Sequence, residues 1–349
     1  MVQERIRPGT PRTRRPTITS PLPLRRLGRI GPEVAALGLG CMGMSDFYGP
    51  ADRGESVATI HAALEAGVTL FDTGDFYGMG HNEMLLGEAL RGRRDQAVIS
   101  VKFGALRDPD MDFRGYDCRP EAVRNFVTYS LRRLGVDYID IYRPSRLDPA
   151  VPVEDTIGAI TDLVQQGYVR HIGLSEVGPE TIRRAAAMHP ICDLQIEWSI
   201  LSRGLEAGII PVCRALGIGV TAYGVLGRGL ISGHWSRERR TQDFRTECPR
   251  FQGCNLEHNL ALVERLRDIA GAKGTTVARV AVAWALARGE DVVPLVGARR
   301  RDRLAESLGA LTVRLTSDEL VAIDAAVPPG AAAGGRYPEA QLKFMDSER

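Results

Sequence analysis

Eight times between residues 34 and 298, a short apolar run gives way to a longer amphipathic stretch. The runs are VAALGLG, VTLFDTG, AVISVKFG, YIDIYRP, VRHIGLSE, CDLQIEWS, GVTAYGVLG and VVPLVGA. Runs of this length read as buried strands, and helical sequence between each and the next makes the strands parallel. Eight strand–helix units close on themselves, so the predicted fold class is α/β, a single-domain (β/α)8 TIM barrel. A doubly wound sheet would want a glycine-rich dinucleotide turn, and LGLGCMGMS is not G-x-G-x-x-G. Pro120 and Pro179 sit where first helical turns belong, and Asp52 with Glu55 and Thr316 with Glu319 resemble capping boxes.

The 349 residues are 44% hydrophobic, enough for one large core, and 45 basic against 43 acidic side chains leave a net charge of +2. No global field therefore argues for a nucleic-acid or membrane partner, and no run of about eighteen apolar residues could span a bilayer. Six cysteines without C-x-x-C and six histidines without H-E-x-x-H speak against a metal site or disulfide framework and fit a reducing cytoplasm. Residues 1–23, rich in arginine and proline, read as a disordered basic arm, and 328–349, opening on PPGAAAGGR, as a flexible C-terminal tail.

In such barrels the chemistry sits where strands end. That rule selects Asp72, Lys102, Ser145, Ser175, Glu176, Gln195, Tyr223 and Gly297. A buried lysine ending a strand needs an opposite charge, which Asp72 on the neighbouring strand supplies. Tyr77, close to that ammonium, would have its phenolate favoured and its pKa lowered into the range of a usable general acid. Arg299, Arg300, Arg301 and Arg303 crowd the start of a helix with Asp302 the only acid among them. Helix N-termini repel cations, so a phosphate-bearing ligand is expected there.

Taken in order, FDTGDFYG, ISVKFG, IGLSEV, LQIEWS, TAYGVLGRG and VPLVGARRRDRLAES resemble the aldo-keto reductases over about residues 24–327, with GLSEV and PRFQG nearest the bacterial long-loop branch. The resemblance implies an NADPH-dependent oxidoreductase reducing a small aldehyde or ketone by hydride transfer. Tyr77 would protonate the carbonyl oxygen, tuned by Lys102 and Asp72. Ser175, Glu176 and Gln195 would hold the nicotinamide carboxamide, and Tyr223 would stack on the ring. Arg299 and Arg303 would take the 2′-phosphate, with Glu306 near the adenine. Gly40, Met42, Val225, Leu226, Arg228, Gly297 and Ser307 complete the implied cofactor positions. Glu176 and Ser307 stand where asparagine is common, and Gly224, from AYGVLG in place of AYSPLG, lacks a hydroxyl and leaves pyrophosphate contacts to the backbone.

Ser145 falls on the histidine of that family's catalytic tetrad. Serine can donate a hydrogen bond but cannot change charge near pH 7. Losing one donor of the oxyanion-hole type costs on the order of 3 kcal/mol in another enzyme class, so slower reduction or a different substrate follows. The alternative is a nucleotide-sensing or regulatory relative with weak residual turnover; the retained Asp72, Tyr77 and Lys102 favour the enzyme. Residues 228–255 are long enough to form a lid over the cofactor's pyrophosphate. Phe47, Tyr48, Phe103, Trp198 and Trp235 are candidates for an apolar pocket, and Arg143 reads as a solvated rim charge ahead of an added anion contact.

Overall fold

The computed structural model describes residues 21–236, 238–239 and 241–348, so the expected basic arm lies outside the described residues up to position 20. The first apolar run splits in two. Its start pairs with an earlier strand as an antiparallel hairpin, β1 (Leu24–Arg26) with β2 (Glu33–Ala35), and its end forms β3 (Gly38–Gly40). The other seven runs become β4 (Leu70–Gly74), β5 (Val98–Phe103), β8 (Ile139–Pro144), β9 (Val169–Ser175), β10 (Ile191–Glu197), β11 (Gly219–Tyr223) and β12 (Val292–Gly297). A second hairpin, β6 (Ala105–Arg107) with β7 (Phe113–Tyr116), follows β5. Strands β3, β4, β5, β8, β9, β10, β11 and β12 pair in parallel, and β12 returns to β3, closing the expected barrel.

Helices α1 (Arg53–Glu65), α2 (His81–Ala89), α3 (Pro120–Leu134), α4 (Val153–Gln165), α5 (Pro179–Met188), α6 (Ile209–Leu216), α7 (Gly253–Ala272), α8 (Val277–Leu286) and α9 (Arg301–Leu308) connect the strands. Pro120 and Pro179 occupy first turns, where a missing N–H breaks no helical bond. Thr316 and Glu319 form both bonds of a capping box at α10 (Ser317–Ala326). At α1 only half of one forms: Asp52 accepts from the Glu55 amide, while the Glu55 carboxylate turns away to Arg301.

Inside the barrel, Leu70, Val98, Ile141, Cys192, Val293 and Leu295 make one apolar cluster, and Leu27 and Val34 of the β1–β2 hairpin join it. Gly28 lets the hairpin approach: a Cβ there would stand 2.4 Å from the Cys192 carbonyl, at a φ of +62°. After α10 the chain crosses the barrel mouth through α11 (Glu339–Leu342), where the sequence suggested a flexible tail. Among the described residues no helix is long and apolar enough to cross a membrane.

Candidate active site

Two residues beyond Leu70, Val98 and Ile141, strand alternation turns Asp72, Ser100 and Arg143 inward as well, and these are polar. The register sets Asp72 beside Ser100 and Lys102 beside Arg143. Lys102 Nζ is ion-paired with Asp72 Oδ1. Ser100 Oγ and Gln195 Nε2 each donate to Asp72 Oδ2 at 2.8 Å. Arg143 is not a rim charge. It is 1% exposed, ion-paired with Asp193 at 3.0 Å, and it donates to Ser100 Oγ at 3.0 Å. The cause is register: Arg143 stands two positions after the inward Ile141. Thr221 Oγ1 also donates to Asp193. Two cations and two carboxylates thus interlock within a low-dielectric interior.

Tyr77 opens a short turn after β4, in which Gly78 and Met79 adopt left-handed backbone. Its ring is 6% exposed, edge-on to Phe47 and Phe76 at 6.1 and 4.7 Å, with Lys102 Nζ 5.3 Å from its centre. Burial pushes the phenol well above its ordinary pKa, Asp72 and Tyr337 add to the rise, and Arg146 opposes it. The expected lowering by Lys102 is therefore overturned: desolvation of the phenolate outweighs the neighbouring ammonium. The phenol is protonated at neutral pH, the form a proton donor needs. Burial likewise lowers the Lys102 pKa, against the pull of Asp72.

Ser145 follows β8, 2% exposed, its amide bonded to the Phe103 carbonyl at 2.8 Å and its hydroxyl without a partner among the described residues. Arg146, which the sequence did not single out, reaches Ser145 O at 2.6 Å, Ser175 Oγ at 3.4 Å and Tyr337 OH at 3.4 Å.

Glu176 is held differently from the expectation. Both its carboxylate oxygens bind the C-terminal segment: Arg336 pairs with it in a bidentate fork at 2.8 and 2.5 Å, and Ser347 donates at 2.6 Å. Tyr223 OH donates to Glu176 at 2.7 Å and lies 2.9 Å from Tyr337 OH. Glu176 also carries a φ of +54°, a strained setting that surrounding bonds must hold. Burial alone would raise its pKa, but Arg336 outweighs it and holds the carboxyl well below the usual range. Glu197 behaves alike, with burial outweighed by Arg228 and then Arg336. Arg228, expected at the pyrophosphate, donates to Glu197 at 3.0 Å and lies 4.1 Å over the Tyr337 ring. A depressed carboxyl stabilises above its unfolded pKa of about 4.3 and is lost as pH falls through the folded value. The Met345 methyl resonance, reporting a side chain 1% exposed, is thus expected to stay fixed from pH 8 to 5 and to move to an exposed position in Arg336→Ala. Movement in the wild type already above pH 6 would contradict the hold of Glu176 on the C-terminal segment.

Gly224 has a φ of +67°, and a Cβ on it would meet Glu197 Cγ at 3.0 Å. The loss of a serine there is conformational as well as chemical. Gly227 N closes this turn onto the Gly224 carbonyl at 2.7 Å, with Val225 buried and Leu226 packed on the core.

At the far end a groove of about 690 Å³ is lined by Pro50, Ala51, Asp52, Glu55 and residues 299–302. The arginines already have partners. Arg299 donates to the carbonyls of Tyr48, Gly49 and Pro50, Arg300 pairs with Asp302, and Arg303 contacts Glu306 and His234. Glu55, brought from α1, binds both the Arg301 amide and its guanidinium and places a carboxylate at the α9 N-terminus. Asp302 is thus not the only acid there, since the fold adds one that the local sequence does not show. Ser307 is buried, Gly297 is exposed, and Gly40 and Met42 flank the end of β3.

Of the candidate pocket aromatics, Phe47 touches Tyr77 and Tyr48 packs on Phe244 at 5.1 Å. Phe103, Trp198 and Trp235 belong to packing instead: they meet Tyr142, Trp284 and Phe251 at 4.4, 6.4 and 4.9 Å. Within the expected lid, Gly227–Ser232, Phe244–Glu247 and Pro249–Phe251 are short turns, and Arg245 bonds Asp243 and the Arg228 carbonyl.

The sequence model of the Aldo/keto reductase family matches residues 36–328. A soybean (Glycine max) protein described as probable aldo-keto reductase 1 is 44% identical over 317 residues, covering 89% of this chain and 91% of its own. The glycerol dehydrogenase AKR11B4 from Gluconobacter oxydans superposes with a TM-score of 0.80 at 30% identity, over 87% of this chain and 94% of its own. The holo form of aldo-keto reductase AKR11C1 from Bacillus halodurans gives 0.74 at 25% identity, over 94% of this chain and 100% of its own. The match runs through the barrel and every motif placed above, and the chain belongs to the aldo/keto reductase family, as an oxidoreductase of carbonyl compounds.

Proposed function

We propose that the chain reduces an aldehyde or ketone with NADPH, with Tyr77 as the proton donor. The observation that carries this reading is the buried, protonated phenol over the Lys102–Asp72 pair. The residues fit a nicotinamide dinucleotide. Gln195 spends its amide nitrogen on Asp72 while its oxygen makes no hydrogen bond among the described residues, which leaves an acceptor for a carboxamide. Ser175 Oγ is engaged only by a long bond of 3.4 Å, and Tyr223 is partly buried at the end of β11. The arginine-lined groove at the other end suits a phosphate. Glu176, committed to Arg336, is not counted among the carboxamide ligands.

The nicotinamide supplies the hydride when bound. Tyr77 donates its proton to the carbonyl oxygen as negative charge develops there, and Lys102 stabilises the resulting phenolate electrostatically. Ser145 Oγ, without another partner among the described residues, gives that oxygen a second hydrogen bond. Phe47 and Phe76 shield the phenol from water.

NADPH is expected to bind more tightly than NADH, because Arg299 and Arg303 can exchange their present partners for a 2′-phosphate. Each charge-assisted bond is worth roughly 1.5–3 kcal/mol, so Arg299→Ala or Arg303→Ala should weaken NADPH about 10-fold or more and leave NADH little changed. Fluorescence titration with both cofactors decides it, and equal wild-type affinities would refute the assignment. Ser145→His is expected to lower kcat/KM for small aldehydes, since an imidazole must enter a position 2% exposed and fixed by Pro144 and the Phe103 carbonyl. A gain of about tenfold, equal to ~1.4 kcal/mol at the transition state, would show that the site still accommodates the longer donor.

A further inference from the structure

Arg146 differs from the arginines around it. Arg143, Arg228, Arg245 and Arg336 are ion-paired with Asp193, Glu197, Asp243 and Glu176. Arg146, partly buried, has no carboxylate within ion-pair distance among the described residues. Its hydrogen bonds go to a carbonyl and two hydroxyls, none of them charged. Glu176 is near enough to act on it electrostatically, but its oxygens are committed to Arg336, Ser347 and Tyr223. The direct hydrogen-bond partners of Arg146 are neutral, so an anion would add a charge-assisted bond that they do not supply.

The position of this charge gives it a use. Arg146 stands just past the end of β8 and reaches Ser175 at the end of β9, so an anion bound to it lies at the barrel mouth, where the guanidinium also acts electrostatically on Tyr77 and Lys102. Ser145, the preceding residue, offers the reacting carbonyl oxygen a buried hydroxyl that has no partner among the described residues. Tyr116 and Phe344, 5.4 Å apart, and Tyr337 add aromatic surface near the guanidinium. We propose that Arg146 is a specificity-determining residue that binds an anionic group, a carboxylate or a phosphate, carried by the carbonyl substrate. The inference rests on the reading of the chain as a carbonyl reductase and names the substrate class that reading leaves open.

The test measures NADPH oxidation with carboxybenzaldehydes, their uncharged methyl esters and formylphenyl phosphates, on wild type, Arg146→Gln and Arg146→Lys. Wild type should prefer one of the anions over the ester by about 30-fold in kcat/KM, mostly through KM, as one charge-assisted contact implies. The favoured anion separates carboxylate from phosphate. Arg146→Gln should abolish the preference, and Arg146→Lys should restore part of it. A wild type that reduces ester and anions equally well overturns the inference and leaves the reductase reading intact. Equal loss on all substrates in Arg146→Gln also overturns it, as does a raised NADPH Kd with the preference kept. NADPH binding without turnover of any aldehyde would fail both readings together.

Discussion

Tyr77→Phe is expected to lower kcat for aldehyde reduction by about 100-fold to 10,000-fold, the range a positioned general acid supplies. Phenylalanine keeps the ring packed on Phe47 and Phe76, so NADPH affinity and thermal stability should change little. Because burial holds the phenol well above its ordinary pKa, the acid stays charged with its proton through neutral pH, and wild-type kcat should not fall between pH 6 and 9 from its loss. Single-turnover oxidation of bound NADPH reads the chemical step directly. A loss under tenfold would mean that another group delivers the proton.

The second large effect is on stability. Asp193→Ala leaves Arg143, 1% exposed, without its carboxylate inside the barrel. Breaking a buried pair by removing one partner costs about 3–5 kcal/mol, whereas replacing both by apolar residues of similar volume is often near neutral. Urea unfolding of Asp193→Ala, set beside the double variant Arg143→Met with Asp193→Leu, measures both. A single-variant loss under about 1 kcal/mol would show that water or rearranged neighbours already compensate the guanidinium.

The barrel was legible because its evidence is local: eight apolar runs, proline at helix starts and one capping box are each contained in a few residues. The same holds for Asp72 and Lys102, whose partnership follows from neighbouring strand ends. What escaped the sequence depends on closure. Whether Arg143 points in or out is decided by the register of β8 against β5, and a one-residue slip would reverse it. The rise in the Tyr77 pKa comes from total burial, which no motif records. Arg336 and Tyr337 lie more than a hundred residues from their partners Glu176 and Tyr223, in a segment whose composition reads as a linker. Glu55 at the start of α9 is another long-range partner. The signal that was present and overlooked is Arg146, a charged residue directly beside the departure at Ser145.

The central claim, that the chain transfers hydride from NADPH to a carbonyl rather than merely binding the nucleotide, is tested most directly with NADPH carrying deuterium at both C4 positions. The account predicts that wild type converts an aldehyde to an alcohol bearing one deuterium at the carbinol carbon, seen by NMR, and that Tyr77→Phe forms the same product far more slowly. Tight NADPH binding with no deuterium in any alcohol formed would contradict it.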